Sequence, residues 1–193
     1  MSLFLAIYPP QEYISYFSKV YKHFDKEKRN LKQIPVDHVQ ATVKFIGPNV
    51  GSKHTQEIIE LFKQFEGQYP KPVLEIEAVR FGFARQTDPR YLFAAIKQND
   101  ILDELSKDIS LLIRSLKFKD TIRWKTRFTD DFHISIARLK PTATRSSGKE
   151  VTDLVKTLNV EPPAPFEAES MVFIQSVMTS KGPRYETLEE IML

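Results

Sequence analysis

The length, composition and charge of the chain are those of an ordinary globular protein. Its 193 residues, 41% of them hydrophobic, suffice for one domain with a substantial core, and the formal net charge of +3 permits an anionic ligand without requiring one. The absence of cysteine excludes disulfides, thiolate catalysis and cysteine zinc sites. The sequence predicts neither a signal peptide nor a membrane span, so we expect a soluble protein of the cytoplasm.

The first half of the chain alternates short β-type runs with amphipathic helices. Apolar residues spaced by three and four predict the helices, and short runs rich in β-formers predict the strands. Proline pairs and Gly-Pro end several of these elements. In chain order we expect a strand at 3–8, a helix at 11–26, a strand at 39–46, a helix at 54–65 and strands at 73–83 and 91–96.

The second half repeats much of this order. We expect a helix at 101–116, a strand at 132–139, a polar loop at 142–148, a short helix at 151–158 and strands at 166–177 and 185–192. The repetition predicts an α+β duplication, in which two antiparallel sheets face a central cleft with helices outside. We expect a single domain over 1–193, with lobes at about 1–97 and 98–193 and terminal strands that can exchange between the lobes.

Two of the predicted strands share a local pattern. One begins Gln40-Ala41-Thr42 and the other His133-Ile134-Ser135, so each has a polar residue, an apolar residue and a hydroxyl. In a strand, residues i and i+2 point to the same face. Gln40 and Thr42 therefore share one face and His133 and Ser135 share another, and in a duplicated fold these faces can meet across the cleft.

This pair of motifs resembles the two His-x-Thr/Ser motifs of the 2H phosphoesterases, in particular the 2′-5′ RNA ligases and RNA 2′,3′-cyclic phosphodiesterases. The second motif is intact, whereas the first has Gln40 in place of its histidine. The opening strand, a middle strand and the closing hairpin also match the family in order, so the resemblance covers nearly the whole chain. The residues that carry these further matches are Leu3-Phe4-Leu5-Ala6-Ile7, Phe45-Ile46-Gly47, Arg90-Tyr91-Leu92-Phe93, Gln175-Ser176, Gly182 and Tyr185.

The resemblance implies that His133 is a catalytic acid or base and that Gln40, Thr42 and Ser135 bind phosphate. It implies a metal-independent phosphodiesterase, with no cofactor and no metal site, whose partners are RNA ends or nucleotides with a cyclic or 2′-linked phosphate. A carboxamide cannot transfer a proton near neutral pH, and losing one general acid or base costs about 10²–10⁴-fold in rate. We therefore expect weakened activity. The alternatives are a non-catalytic protein that binds nucleotides or RNA ends, and a repurposed interaction domain.

Several residues near the motifs have two interpretations. Gln40 is either a drifted residue in a dead site or a retained phosphate binder. His38 precedes Gln40 by two residues, so a continuous strand would turn both to one face; it is either a substitute imidazole or a histidine at the strand edge. Arg138 reaches the cleft only if its strand is twisted or bulged. Further expected cleft contacts are Tyr185, Arg127 and Lys125, whereas Trp124 is assigned to packing and His23 and His54 to the surface.

Overall fold

The computed structural model describes residues 2–48, 50–82, 90–116, 132–179 and 182–193. The helices in these ranges are α1 (Gln11–His23), α2 (Ser52–Phe62), α3 (Asp100–Ser115) and α4 (Arg145–Lys156). The strands are β1 (Ser2–Ile7), β2 (Leu31–Gln33), β3 (Ala41–Pro48), β4 (Val73–Leu74), β5 (Ile76–Gly82), β6 (Tyr91–Ile96), β7 (His133–Leu139), β8 (Phe166–Glu167), β9 (Ser170–Thr179) and β10 (Gly182–Met192). Helices combined with antiparallel strands confirm the predicted α+β class.

The strands form one large sheet of two halves and a small second sheet. In the large sheet the order is β10-β9-β1-β3-β7-β6-β5, with β2 paired to β7, and β4 pairs with β8 in the small one. The halves of the large sheet meet between β3 and β7, where the pairing consists of Ala41 with Ile134. The two predicted sheets are therefore two arms of one sheet, joined at this pair.

Strand pairing in the large sheet crosses the midpoint of the sequence. The C-terminal strand β9 lies between β1 and β10, and β6, from the first half of the chain, lies between β7 and β5. Both ends of the chain therefore contribute to the arm that contains β3.

The two faces of β1 separate a large core from a small apolar cluster. Leu3, Leu5 and Ile7 belong to the main core, to which all four helices contribute. Phe4 and Ala6 point the other way and pack with Val172, Ile174 and Tyr185. Side chains therefore pack on both faces of β1, and the second face forms part of the wall of a cleft.

Helix α3 shows how the sequence specifies an element of the core. Asn99 caps its N-terminus, where the side chain accepts a hydrogen bond from the Leu102 amide at 3.1 Å. Leu102, Leu105 and Ile109 form one fully buried stripe. Burying each such side chain contributes about 1.5–3 kcal/mol to folding, so the stripe fixes the helix against the sheet.

Four details differ from the sequence predictions or add to them. Strand β3 begins at Ala41, and His38 lies in a 3-10 turn at Val36–His38. The prediction that one continuous strand turns His38 and Gln40 to the same face is therefore wrong. Helix α4 begins at Arg145, inside the predicted loop, because Thr144 accepts a hydrogen bond from the Ser147 amide and caps it. The three-residue strand β2 is too short to show a pattern. Among the described residues, no helix is long and apolar enough to cross a membrane.

Candidate functional site

The two sequence motifs flank the residue pair that joins the halves of the sheet. Ala41 and Ile134 are 3% and 0% exposed and face the main core. Their neighbours along the chain turn to the opposite face because side chains alternate in a strand. Gln40 and Thr42 therefore lie on the cleft side of β3, and His133 and Ser135 lie on the cleft side of β7.

The register at this junction sets which residues oppose each other. Continuing the antiparallel pairing by one residue from Ala41 and Ile134 places Thr42 across from His133 and Gln40 across from Ser135. In this register the nitrogen-bearing side chain of each motif opposes the hydroxyl of the other motif.

A cavity of about 290 Å³ opens beside this junction, which we call the Gln40 cavity. Gln40, Thr42 and Ser135 line it together with His38 and Tyr185. The structure thus brings together five of the residues singled out in the sequence. Ser2, Phe4, Ile34, Phe45 and Ser176 complete its described wall.

Gln40 is held in the wall of this cavity and is only 9% exposed. Within the part of the chain that the structure describes, its Oε1 is buried and has no hydrogen-bond partner. An unsatisfied buried acceptor costs about 1–3 kcal/mol. This residue is therefore poorly explained by packing, and such exceptions call for an explanation in terms of function or an absent partner.

His38 reaches the Gln40 cavity by a different route from the one the sequence predicted. The amide of Ile34 donates to Ile136 O at 2.8 Å and docks the preceding segment on β7, and the amide of His38 donates to Pro35 O at 2.8 Å. The resulting turn projects the imidazole toward β10, where its ring meets Tyr185 edge-on with centroids 5.1 Å apart. The His38 side chain stays 33% exposed.

Tyr185 links the walls of the cavity. Its ring packs edge-on against both His38 and Phe4. Burial raises the pKa of Tyr185 above its usual value, and the neighbouring positive charge of Arg138 only partly offsets this effect. The phenol is therefore neutral near pH 7 and can donate a hydrogen bond into the cavity.

A second and larger cavity of about 390 Å³, the Tyr91 groove, adjoins the first. The two share Ile34, Ser135, Ser176 and Tyr185 as walls. The groove adds the exposed ring of Tyr91 and the cationic side chains of Lys32 and Arg138. None of the described residues that line either cavity is acidic, and Lys32 and Arg138 give the Tyr91 groove a positive charge that favours anions.

Arg138 reaches the groove because β7 is bulged. Leu92 pairs with Ala137 and Phe93 pairs with Ser135, which leaves Ile136 as an extra residue on β7. A bulge of this kind reverses the alternation beyond it, so Arg138 returns to the face of Ser135. It then lies between Tyr91 on β6 and Lys32 on β2, which are its partners in the register.

His133 lies next to these cavities, at the start of β7. It is half-buried and packs edge-on against Phe93, with ring centroids 5.5 Å apart. In the described part of the chain it lines neither the Gln40 cavity nor the Tyr91 groove, although it shares the face of Ser135.

The described residues contain no group of three His, Asp or Glu that could hold a metal ion. Arg127, Lys125 and Trp124 lie outside the described residues.

The remaining histidines lie where the sequence placed them, away from the cavities. His23 contacts Leu154 O at 2.9 Å, and His54 pairs with Glu57 on α2. Lys44 pairs with Leu5 beyond a bulge at Val43, so it faces the core side of β3 and not the side of Thr42. It is buried, which lowers its pKa, and the positive charge of Arg114 lowers it further. Lys32 was not predicted as a cavity residue, because β2 shows no periodicity of its own.

The fold is shared with solved structures that have little sequence in common with this chain. TT0787 of Thermus thermophilus is 21% identical, with a TM-score of 0.77 over 100% of this chain and 98% of that one. Escherichia coli LigT complexed with 3′-AMP is 17% identical, with a TM-score of 0.70 over 100% and 97%. The same protein complexed with phosphate is 18% identical, with a TM-score of 0.68 over 100% and 96%. No protein-family model matches the chain.

These similarities cover nearly the whole length of both chains. At such low identities they establish the fold but not the activity, which depends on the residues of the site. They agree with the resemblance that the motifs, the opening strand and the closing hairpin indicated. The chain has the fold of the 2H phosphoesterases.

Proposed function

We propose that this protein is a cytoplasmic 2H phosphoesterase that acts on RNA ends or nucleotides with a cyclic or 2′-linked phosphate, with activity weakened by Gln40. The observation that supports the proposal most is the placement of both motifs at one junction. Gln40 and Thr42 from β3 and Ser135 from β7 line a single cavity, with His133 on the same face of the sheet.

The chemistry of the Gln40 cavity suits a phosphate. The hydroxyls of Thr42, Ser135 and Tyr185 and the amide of Gln40 are all neutral donors. Neutral donors that converge on an oxyanion stabilise both its ground-state charge and the charge that develops during phosphoryl transfer. Since no described acidic side chain lines the cavity, nothing in its described wall opposes an anion.

The chemistry of the Tyr91 groove suits the rest of a nucleotide. Tyr91 and Tyr185 offer aromatic faces for stacking, which is how proteins commonly hold unpaired bases. Lys32 and Arg138 lie where a neighbouring phosphate of an RNA chain would benefit from positive charge. The complexes of LigT with phosphate and with 3′-AMP provide a precedent on the same fold.

The proposed reaction is hydrolysis of a 2′,3′-cyclic phosphate without a metal. Water attacks phosphorus, the bond to one ribose oxygen breaks, and that oxygen takes up a proton. His133 is the group in the motifs that can transfer the proton, because imidazole titrates near neutral pH. Gln40 holds a phosphate oxygen and leaves one of the two proton transfers without its usual imidazole.

A second candidate function is binding without turnover. The chemistry of Gln40 favours it, because a carboxamide retains a hydrogen-bond donor for phosphate and loses proton transfer. In this case the protein recognises nucleotides or RNA ends in the same cleft.

Hydrolysis of 2′,3′-cyclic AMP by the purified protein and by Gln40→His tests the proposal. We expect slow hydrolysis by the native protein and a rate increase of about 10²-fold in the variant, because an imidazole then occupies the histidine position of the first motif. Gln56→His, on the exposed face of α2, is the matched control and should leave the rate unchanged.

Calorimetry with 3′-AMP separates the remaining outcomes. Binding without hydrolysis by either protein would support the second candidate function and refute the first. The absence of both binding and hydrolysis would refute the assignment of this cleft to phosphate ligands.

A further inference from the structure

The proposed reaction lacks one proton-transfer group, and the Gln40 cavity contains an imidazole that the motifs do not include. His38 lines this cavity together with Gln40, Thr42 and Ser135. It lies outside the strand, so its position is independent of the alternation that orients Gln40 and Thr42. Since His38 and these three residues line one cavity of about 290 Å³, a phosphate held by Gln40, Thr42 and Ser135 would occupy the space that His38 also lines.

We propose that His38 supplies the second imidazole of the reaction, as the general base that activates water in place of the histidine that Gln40 replaces. This inference rests on the proposed function of the cleft. His38 is suited to the base role because its side chain is 33% exposed, so water reaches it from bulk solvent. His133, which lies on the same face of β7 as Ser135, then takes the role of the acid that protonates the leaving oxygen.

The turn at Val36–His38 holds the imidazole in place. Its backbone is fixed by the hydrogen bond from the His38 amide to Pro35 O, and the preceding segment is tied to β7 through Ile34. The edge-on contact with Tyr185 restricts rotation of the ring. A base that is held this firmly loses little entropy when it enters the transition state.

The charged and titratable groups near His38 come from its own turn, from α1 and from β10. The Asp37 carboxylate of the turn lies 3.8 Å from Nε2. The tyrosines that face the turn are Tyr185 on β10 and Tyr21 on α1, and burial raises the pKa of both, so neither competes as a base near neutral pH. The positive charge of Arg138 acts on Tyr185, whose pKa it lowers in part.

The proposed step is balanced. His38 takes one proton from the attacking water as the new P–O bond forms, and His133 gives one proton to the ribose oxygen as its bond to phosphorus breaks. The product is a nucleoside phosphate with a free neighbouring hydroxyl. Exchange of protons between the two imidazoles and solvent then returns the site to its starting state.

The test combines His38→Asn with hydrolysis of 2′,3′-cyclic AMP, 3′-AMP binding and a pH–rate profile. We expect His38→Asn to lower kcat by about 10²-fold, to change the 3′-AMP dissociation constant by less than about twofold, and to remove the acidic limb of the profile. Introducing Gln40→His into the His38→Asn protein should restore hydrolysis. His54→Asn, at a partly exposed histidine on α2, is the matched control and should behave as the native protein.

Several results would overturn the inference. Native rates in His38→Asn, or a native protein that binds 3′-AMP without any hydrolysis, would refute the role of His38 and leave the cleft assignment standing. Parallel loss of binding and hydrolysis in His38→Asn would show a structural role instead. A native protein that neither binds 3′-AMP nor hydrolyses the cyclic nucleotide would refute both the inference and the proposed function.

Discussion

At the scale of single residues, Gln40 is the position where stability and function conflict. It is 9% exposed and carries a buried oxygen that has no partner within the described residues. A core selected for stability alone favours an apolar side chain at such a place, because removing an unsatisfied polar group is often neutral or stabilising. The nitrogen of the same side-chain amide can donate to a phosphate oxygen, so binding of a phosphate would account for a glutamine at this place.

Gln40→Met tests this conflict. We expect the free energy of unfolding, measured with urea, to stay level or rise by about 1 kcal/mol, because the buried acceptor is removed at nearly constant volume. Binding of 3′-AMP should weaken, because the amide donor is lost. Gln56→Met on the exposed face of α2 controls for the substitution itself. A clear loss of stability in Gln40→Met would show that the oxygen is bonded and that the residue is structural.

At the scale of elements, the strands and helices were largely predictable and the irregularities were not. Apolar periodicity located α3 and β7 to within one or two residues, because each buries a continuous face. Bulges depend on the partner strand and leave no mark on a single sequence. The register shifts in β3 and β7 change which face of the sheet the residues beyond them point to. Counting alternate residues along the sequence therefore gave the wrong face, or no definite face, for those residues. The turn at His38 left no clear mark on the sequence either. His38 was therefore aligned with Gln40 as if the strand were continuous.

The bulge in β7 predicts a role for Arg138. Since it turns Arg138 toward the Tyr91 groove, Arg138→Met should weaken 3′-AMP binding by roughly threefold to tenfold and reduce its dependence on salt. Arg145→Met, at an exposed arginine at the start of α4 that lines neither cavity, is the matched control. Titrations at low and moderate salt measure both effects. Equal affinities for the native protein and Arg138→Met would mean that the groove does not hold the nucleotide.

At the scale of the whole molecule, the site depends on how the two arms of the sheet meet. The two ends of the chain pair through β1 and β9, and the arms join at Ala41 and Ile134. Neither motif forms the proposed site alone, because Gln40 and Thr42 belong to one arm and Ser135 to the other. The motif order and family resemblance predicted this convergence, whereas the Tyr91 groove, which needs β2 and the bulged end of β7, could be seen only in the folded chain.

A crystal structure of the protein with 3′-AMP would locate the proposed phosphate site. We expect the phosphate in the Gln40 cavity, within hydrogen-bond distance of the Thr42 and Ser135 hydroxyls and the Gln40 amide. We expect the base in the Tyr91 groove. A nucleotide bound on another face of the molecule, or an empty cleft at a saturating concentration of 3′-AMP, would contradict this proposal.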